Sequence, residues 1–337
     1  MRILFLGTRK LGYLGLKKII NAGHDVAGIL TNDYDITEGY TSKNFDEIAR
    51  QHNIPIFITD KINNDKFVET FKKLNFDLGV SMYWKRLVGD KVIQTAKKGF
   101  INCHAGDLPK FRGFAAINYA ILMGEKEMGM CIHEMVPGEA DSGDVFCRRY
   151  VPIDGDTTIT ELMEKFNLNF IEMTLEVLDQ FDNNKLMPIK QDKTKLAYAF
   201  PRIPRDGRIN WSDEAIKIDR IVKASSSPYP GAYTYYGHKK LFIWESHELN
   251  PPPQFVGSPG HVVKLNEDGS VWITTGSGIL VLDKIQIDGE GEVQSPSEIL
   301  KSVQIRFGME EEEEIVMLKK RVSVLEDMIK GQGNHNE

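Results

Sequence analysis

The first hundred residues alternate between short apolar runs and amphipathic helical stretches, and this alternation limits the fold more than any other feature. The run RILFLG (2–7) is followed by a helical segment that stops near Gly23 and by a second apolar run, DVAGILT (25–31). Runs that are apolar throughout are typical of parallel strands covered on both faces. Repeated strand–helix–strand units therefore predict an α/β domain with a doubly wound parallel sheet.

The turn after the first predicted strand lacks the glycine pattern that binds dinucleotides. It reads GTRKLG, with glycine at positions 7 and 12 but none between them. The fingerprint Gly-x-Gly-x-x-Gly needs its central glycine so that the backbone can approach a pyrophosphate. The sequence therefore argues against an NAD- or FAD-dependent enzyme.

The second half of the chain has a different pattern. A polar connector (182–200) leads to short aromatic and β-branched runs separated by glycine, asparagine and proline. Such runs predict a small antiparallel β domain of the open-barrel, OB-like type. We expect a Rossmann-like catalytic domain over residues 1–190, a β-barrel domain over 200–306 and a C-terminal helix over 309–330.

The C-terminal segment has apolar residues at alternating spacings of three and four, which is the spacing of a coiled-coil seam. These residues are Ile315, Leu318, Val322, Leu325 and Ile329. The pattern covers only about two heptads, so it equally fits a surface helix packed on its own domain. Because this segment and the aromatic β domain each offer an interface, we expect a homodimer.

Charge and cysteine content limit the cellular setting and the partners. The formal net charge of -6 argues against a polyanionic partner, since clustered lysine and arginine drive phosphate binding. The three cysteines, Cys103, Cys131 and Cys147, form no Cys-x-x-Cys pair and are typical of reduced thiols. No apolar run approaches the length of a membrane span. We therefore expect a cytoplasmic protein without a nucleic-acid or membrane partner.

The stretch FINCHAGDLPKFRG (100–113) places an amide, a thiol and an imidazole where an apolar strand ends. Side chains alternate along a strand, so Asn102 and His104 share one face and Cys103 points to the other. Ligands of open parallel sheets bind at the carboxyl ends of the strands, where the Asn–His pair would lie. The cysteine as a nucleophile, the histidine as a metal ligand and the pair acting on a carbonyl are three competing interpretations.

Two of these interpretations are disfavoured. A small thiol in the opposite layer is more often a packed core residue, which argues against Cys103 as a nucleophile. A metal site would need His104, His133 and Asp141, no two of which share a recognisable ligand spacing. We therefore expect no metal.

The carbonyl interpretation uses the Asn–His pair most completely. When an amine attacks a formyl group, the amide of Asn102 can donate to the developing oxyanion and His104 can take the proton of the amine. A carboxylate that orients the imidazole would assist this step. The turn EADSGDV offers Asp141 and Asp144 for that role.

Two stretches resemble signatures of the folate-dependent formyltransferases, a family that includes the methionyl-tRNA formyltransferases and the nucleotide-sugar N-formyltransferases. INCHAGDLPKFRG resembles the Asn-x-His motif with its Leu-Pro-Lys and aromatic-Arg-Gly, and DSGDV resembles the motif of the catalytic aspartate. PRDGRINW and SSSPYPGAYTYYGHKKLFIWES look like the family's C-terminal domain. The resemblance implies that Asn102, His104 and Asp141 are the catalytic residues.

The resemblance also implies the formyl donor, N10-formyltetrahydrofolate, and the residues that bind it. In the family, the pterin contacts the loop after the fourth strand and the segment before the catalytic aspartate. By their positions in this sequence, the expected donor-binding residues are Arg86, Leu87, Val88, Pro137, Gly138, Glu139 and Ala140.

Members of the family formylate methionyl-tRNA, glycinamide ribonucleotide or nucleotide-linked amino sugars. The tRNA enzymes carry a basic insertion after the second strand, whereas residues 31–47 of this chain hold one lysine and five acidic residues. These acids would repel phosphate. Since the glycinamide enzymes lack the C-terminal β domain, we expect an amino sugar carried on UDP or dTDP as the acceptor. Methionyl-tRNA is the alternative acceptor, and an inactive folate-binding scaffold is the second alternative.

The loop after the Asn-x-His motif supplies the expected substrate contacts, Lys110, Arg112 and Phe114. Arg112 fits two roles equally, as a phosphate contact or as a structural arginine that bonds the loop's own carbonyls. Phe114 stands where the amino-arabinose formyltransferase, which this loop resembles, has an arginine. A nucleotide base could stack on the aromatic ring.

Overall fold

The computed structural model describes residues 1–33, 38–308 and 311–333, and within the last helix it describes the side chains of residues 315–326. By its contacts the chain forms two compact units. They comprise Met1–Asp206 with Lys223–Pro230, and Gly207–Val222 with Gly231–Glu337. Among the described residues, no helix combines the length and the apolar character needed to cross a membrane.

The first unit is organised around one large sheet. Its strands are β1 (Arg2–Gly7), β2 (Asp25–Thr31), β3 (Ile56–Ile58), β4 (Leu78–Met82), β5 (Phe100–His104), β6 (Arg112–Gly113), β7 (Glu127–Met135), β8 (Val145–Pro152) and β9 (Tyr198–Ala199). The seven-stranded sheet has the order β3-β2-β1-β4-β5-β7-β8, and β6 pairs separately with β9. Strands β1 to β5 are parallel, and β7 and β8 continue the sheet antiparallel. This arrangement confirms the α/β class predicted from the alternating pattern.

One helix connects each of the five parallel strands to the next, and further helices follow β5 in the described residues. In chain order the helices are α1 (Arg9–Asn21), α2 (Ser42–His52), α3 (Asp65–Leu74), α4 (Asp90–Ile93), α5 (Ala116–Met123), α6 (Ile159–Asp182), α7 (Ala215–Ser225), α8 (Pro296–Ile299) and α9 (Glu311–Gly333). The start of α6 shows how the local sequence sets these bounds. Glu161 accepts a hydrogen bond from the backbone N–H of Thr158 (3.0 Å), and the Thr158 hydroxyl accepts one from Glu161 N (3.4 Å), which forms a capping box.

Successive residues of the central strand β1 fill two different apolar cores. Ile3 and Phe5 belong to one buried cluster, whereas Leu4 and Leu6 belong to another, and all four are fully buried. Because side chains alternate between the faces of a strand, this division places packed layers on both faces of the sheet. It is the physical reason why the sequence of β1 is apolar throughout.

The second unit contains an antiparallel sheet. Its strands are β10 (Ala232–Tyr236), β11 (Lys239–Glu248), β12 (Val262–Leu265), β13 (Val271–Thr274), β14 (Ile279–Ile287) and β15 (Glu290–Gln294). The order is β10-β11-β14-β13-β12, with β15 paired to β14. The pairings leave β10 and β12 at the two ends, so the described sheet is open. An antiparallel β domain in this part of the chain agrees with the sequence-based expectation.

Helix α9 follows the second sheet, and every side chain described in it is exposed. Leu318 and Leu325, which the sequence places on the apolar seam, are 49% and 56% exposed. The last predicted seam residue, Ile329, lies outside the residues whose side chains are described. The same holds for the acidic run at 310–314.

Gly79 in β4 has no room for a side chain, and we expect Gly79→Ala to destabilise the first unit. A Cβ there would lie 2.1 Å from the ring of Phe100, which is fully buried in the neighbouring strand. Overpacking of this kind costs about 1–3 kcal/mol of unfolding free energy. Urea unfolding of Gly79→Ala beside Gly155→Ala measures the effect, because a Cβ at Gly155 meets nothing within 4 Å. Equal stability of the two variants would contradict this packing.

Candidate active site

Three neighbouring strands place polar side chains in one row across the sheet. Ser81 in β4 lies opposite Asn102 in β5, and Asn102 lies opposite His133 in β7. The Ser81 hydroxyl donates to Asn102 Oδ1 at 2.8 Å, and Asn102 Nδ2 lies 3.3 Å from His133 Nε2. The amide of Asn102 is therefore held from both sides, so its orientation is determined by its neighbours.

Asp141 connects this row to His104. Its Oδ1 lies 3.3 Å from His133 Nε2, its Oδ2 lies 3.5 Å from His104 Nδ1, and Oδ2 also accepts a hydrogen bond from the backbone N–H of Gly113 at 2.9 Å. The structure thus brings together the three residues implied by the sequence motifs, and His133 stands between two of them.

Asp141 rather than Asp144 contacts the histidines. The backbone of Asp141 is left-handed, with φ of 55°. The negative charge of Asp144 acts instead on the carboxyl group of Glu134. Burial raises the pKa of the Glu134 carboxyl, and the nearby charge of Asp144 raises it further.

The electrostatics of the cluster favour an ionised aspartate beside a neutral histidine. Burial alone would raise the pKa of the Asp141 carboxyl. The attraction of a protonated His104, the contacts from His133 and the N–H of Gly113 outweigh that effect and hold the pKa well below its usual range, so a proton shared by the pair resides on the imidazole. Burial also lowers the pKa of His104, and the attraction of Asp141 offsets this only in part. His104 is therefore a neutral base at pH 7.

The far nitrogens of both histidines contact backbone carbonyls, which determines where their hydrogens lie. His104 Nε2 lies 2.8 Å from the carbonyl oxygen of Phe111, and His133 Nδ1 lies 2.7 Å from that of Glu134. A carbonyl oxygen only accepts, so these two nitrogens carry the hydrogens of the neutral rings. The nitrogens that face Asp141 then present lone pairs to a carboxylate. These lone pairs and the carboxylate repel each other. One further proton on a nitrogen that faces Asp141 would replace the repulsion by a hydrogen bond.

Gly106 leaves space for the imidazole of His104. A Cβ on this residue would lie 2.5 Å from His104 Nε2 and 2.9 Å from the carbonyl oxygen of Phe111. Any side chain at this position would push the ring from its place. The glycine that follows the Asn-x-His motif thus serves the site directly.

The candidate substrate contacts after the motif differ in their surroundings. Arg112 is 2% exposed; its Nη1 donates to Glu139 Oε1 at 2.7 Å, and its Nε and Nη2 donate to Gln191 Oε1 at 3.1 and 2.8 Å. These bonds favour a structural role over a phosphate contact, although the partners are side chains of two other segments rather than the loop's own carbonyls. Lys110 pairs with Glu125 at 2.6 Å, whereas Phe114 is 53% exposed and has no ring partner among the described aromatic contacts.

Gln191 is a site residue that the sequence did not reveal. Its amide donates to the carbonyl oxygens of Asp141 (2.8 Å) and Gly143 (2.7 Å), while its oxygen accepts from Arg112. It thereby supports the left-handed turn that carries the carboxylate of Asp141. Gln191 lies in a polar connector fifty positions further along the chain, and no local pattern marks it.

The two segments expected to bind the formyl donor lie next to each other. The backbone N–H of Gly138 donates to Asp90 Oδ1 at 3.1 Å, which links the turn before Asp141 to the start of α4, where the loop after β4 ends. In that loop Leu87 is 69% exposed and Val88 is buried. Arg86 pairs with Asp60 at 3.0 Å. Residues 137–140, the other expected donor contacts, are all exposed.

Cys103 lies on the opposite face of β5, as the alternation of the strand predicts. Its Sγ is 3.5 Å from the hydroxyl of Thr174 in α6. Burial raises the pKa of the Cys103 thiol to about 12, so it is a thiol rather than a thiolate at neutral pH. A nucleophilic cysteine needs the opposite shift.

The same cluster has donor atoms close enough together to be considered for a metal ion. One ligand atom each from His104, His133 and Asp141 lies within 4.8 Å of the others. The strand pairing creates this group, which no sequence spacing indicates. Histidines that bond backbone carbonyls through their far nitrogens suit metal ligation as well as proton transfer. The expectation of no metal therefore stays a prediction.

The chain has an α/β fold that brings an amide, two imidazoles and a carboxylate together at one edge of its sheet. Residues 1–178 match the Formyl transferase family, and residues 203–304 match the Formyl transferase C-terminal domain. A methionyl-tRNA formyltransferase of Sulfurihydrogenibium sp. is 31% identical over 315 residues, covering 91% of this chain and 99% of that protein. The chain therefore belongs to the formyl transferase family, which confirms the resemblance of its motifs.

Solved structures with the same fold include proteins of different functions. WlaRD, a sugar 3N-formyl transferase crystallised in the presence of dTDP and 5-N-formyl-THF, aligns with a TM-score of 0.62 at 19% identity, over 86% of this chain and 99% of its own. An N-formyltransferase from Helicobacter canadensis, in complex with folinic acid and dTDP-3-aminofucose, gives 0.60 at 18% identity, over 83% and 97%. HypX from Aquifex aeolicus, in complex with tetrahydrofolic acid, gives 0.59 at 21% identity, over 89% of this chain and 47% of HypX. At these identities the likeness concerns the fold alone, and this chain spans about half of HypX.

We expect Asp141→Asn to lower the rate of the enzyme and to shift its pH profile. Loss of the negative charge removes the attraction that partly supports the pKa of His104, so this pKa falls further. The acidic limb of kcat/KM should therefore move to lower pH, while kcat drops by about 10²–10⁴-fold. Asp144→Asn is the matched control and should leave the acidic limb of the kcat/KM profile at its wild-type pH. An unmoved limb in Asp141→Asn would contradict the proposed coupling.

We expect the enzyme to work without a metal. Elemental analysis of the purified protein should find well under one equivalent of any transition metal, and dialysis against a chelator should leave the rate unchanged. A proton on one of the histidines, rather than a metal ion, would then balance the ionised carboxylate of Asp141, whose pKa is lowered. Activity that disappears on chelation and returns with added zinc would show that His104, His133 and Asp141 hold an ion.

Proposed function

We propose that this enzyme transfers the formyl group of N10-formyltetrahydrofolate to the amine of a nucleotide-linked amino sugar. The observation that carries the proposal is the contact of His104 and Asp141 at 3.5 Å beside the oriented amide of Asn102. Membership of the formyl transferase family supports the reaction class. The amino-sugar acceptor rests on charge and on exposed aromatic residues.

In this proposal each residue of the cluster has one task. Asn102 Nδ2 carries two hydrogens, one directed at His133, and the other would donate to the charge that develops on the formyl oxygen. His104 would take the proton released when the amine bonds to the formyl carbon. It would then return a proton to N10 as the bond between N10 and that carbon breaks. Asp141 would stabilise the intervening imidazolium.

Two hydrogen-bond partners compete for the neutral imidazole of His104. The Phe111 carbonyl holds the hydrogen on Nε2, whereas Asp141 favours it on Nδ1. We expect a bound amine to replace the Phe111 carbonyl at Nε2. The hydrogen would then lie on Nδ1, facing the carboxylate, and Nε2 would be free to act as the base.

The formyl donor would bind where the loop after β4 approaches the turn before Asp141. The link between Asp90 and Gly138 keeps these two segments together, and the exposed side chain of Leu87 offers an apolar contact. The donor supplies the one-carbon group and a leaving amine. The residues of this chain would hold it beside Asn102 and exclude water from the reacting carbon.

Charge in the described residues favours a small nucleotide over tRNA. After β2, Asp33 accepts from the backbone N–H and the hydroxyl of Ser42, and Glu38 accepts from the backbone N–H of Lys10, so acidic groups cover the starts of α2 and α1. By its sequence, the second unit carries 20 acidic residues and 13 lysines and arginines. Such a negative charge balance repels a polyanion. Methionyl-tRNA nevertheless remains the second candidate acceptor because of the 31% identical relative.

Exposed aromatic residues next to the site suit a nucleotide base. The residues Arg112–Gly113 pair with Tyr198–Ala199, so Phe114 and Phe200 follow at equivalent positions of two paired strands. Phe114 is 53% exposed and Phe200 is 70% exposed. Because bases stack on such rings irrespective of sequence, these two side chains would form the platform for the base of UDP or dTDP.

An acceptor panel tests the function. Purified protein with N10-formyltetrahydrofolate should release tetrahydrofolate when given UDP- or dTDP-linked amino sugars, and His104→Asn should lose this activity while keeping its fold. Release with methionyl-tRNA alone would replace the sugar acceptor by the second candidate. Folate binding without release for any amine would instead indicate the inactive scaffold.

A further inference from the structure

Helix α9 exposes an apolar seam that nothing in the described chain covers. All side chains from 315 to 326 are exposed, and the seam residues Ile315, Leu318, Val322 and Leu325 are 51%, 49%, 52% and 56% exposed. A helix that packs against nothing is only marginally stable in water, because tertiary contacts supply most helical stability. The alternative drawn from the sequence, a helix packed on its own domain, is therefore disfavoured.

The residue types on the seam favour a coiled coil of two helices rather than three or four. In the heptad register, positions a are Ile315, Val322 and Ile329, and positions d are Leu318 and Leu325. A β-branched residue at a with leucine at d favours parallel two-stranded coiled coils over trimers and tetramers. All five seam positions follow this rule.

The charged residues beside the seam complement a second copy of the same helix. In a parallel pair, a residue at g faces the residue at e five positions further on in the other helix. This pairs Arg321 with Glu326, and at the level of the sequence it pairs Glu314 with Lys319. Both pairs join opposite charges, so two identical helices attract each other in this register.

We propose that α9 joins two copies of this chain through a parallel, in-register coiled coil. Three observations favour a second copy of α9 as the partner: the apolar seam, the residue types at positions a and d, and the flanking charges. The proposal concerns a part of the chain distant in sequence from the candidate active site. It therefore stands or falls independently of the formyl acceptor.

The mass of the full-length protein in solution tests the pairing. By light scattering or sedimentation at micromolar concentration, we expect twice the chain mass of 38.2 kDa. The double variant Leu318→Lys with Leu325→Lys should be monomeric, with its dimer dissociation constant raised at least about 100-fold. The matched control, Met317→Lys with Val324→Lys, adds the same charges at exposed positions off the seam and should remain dimeric.

Either of two results would overturn the proposal: a monomeric wild-type protein, or a seam variant that stays as dimeric as its control. Thermal unfolding of both variants checks that the rest of the chain is intact. Because the substitutions lie on an exposed helix, we expect the unfolding transitions of the two units to match those of the wild-type protein.

Cross-linking tests the parallel orientation. Under mild oxidation, Ile315→Cys should form a covalent dimer, because residue 315 faces its own counterpart only in a parallel pair. Val316→Cys points away from the seam and should match the unmodified protein, whose three cysteines set the background. A covalent dimer that forms only when Ile315→Cys is mixed with Leu325→Cys would show an antiparallel pair, in which a positions face d positions, and would overturn the orientation.

A charge exchange tests the register. Arg321→Glu should weaken the dimer, because it places like charges opposite each other, and Arg321→Glu combined with Glu326→Arg should restore it. Failure of the double exchange to restore the dimer would contradict the register.

Discussion

A buried carboxylate between two imidazoles is the interaction on which the rest of the candidate site depends. Asp141 has little access to water, so its charge must be compensated by neighbours rather than by solvent. The N–H of Gly113 provides part of that compensation, and His104 and His133 provide the rest once the cluster holds a further proton. Each of them comes from a different strand or loop, which means that the charge is stable only when the whole sheet edge is assembled.

The backbone around the cluster supports this arrangement. Asp141 and Phe111 both have left-handed backbones, with φ of 55° and 64°. Non-glycine residues hold such conformations only where surrounding structure determines them. Gln191 supplies part of that structure by bonding the carbonyl of Asp141 and the buried guanidinium of Arg112. The site is thus a network in which a connector far along the chain positions the carboxylate.

In the proposed reaction, the arrangement would let His104 serve as both base and acid. The Phe111 carbonyl and the Asp141 carboxylate favour opposite tautomers of His104. A small exchange of partners therefore changes which nitrogen is basic. Such a mechanism would keep the imidazole neutral and inactive until an amine arrives, which fits a pKa lowered by burial.

Membership of the family indicates the class of reaction, whereas the surface around the site bears on the choice of acceptor. The catalytic core is of a kind found with several acceptors, and fold alone does not select one. Acidic groups at the starts of α1 and α2 and the exposed ring of Phe114 lie outside that core. They bear on the acceptor because substrate selection depends on what surrounds the reacting atoms rather than on the reacting atoms themselves.

The sequence by itself determined the doubly wound sheet, the antiparallel second domain and the sharing of one face by Asn102 and His104. These follow from local periodicity, since strand alternation and helical spacing act over a few residues. Only the tertiary structure decided that His133 lies opposite Asn102, that Asp141 rather than Asp144 meets the imidazoles, and that Gln191 secures their turn. These contacts join residues far apart in the chain, and their geometry arises from strand register and loop conformation, which no local pattern encodes.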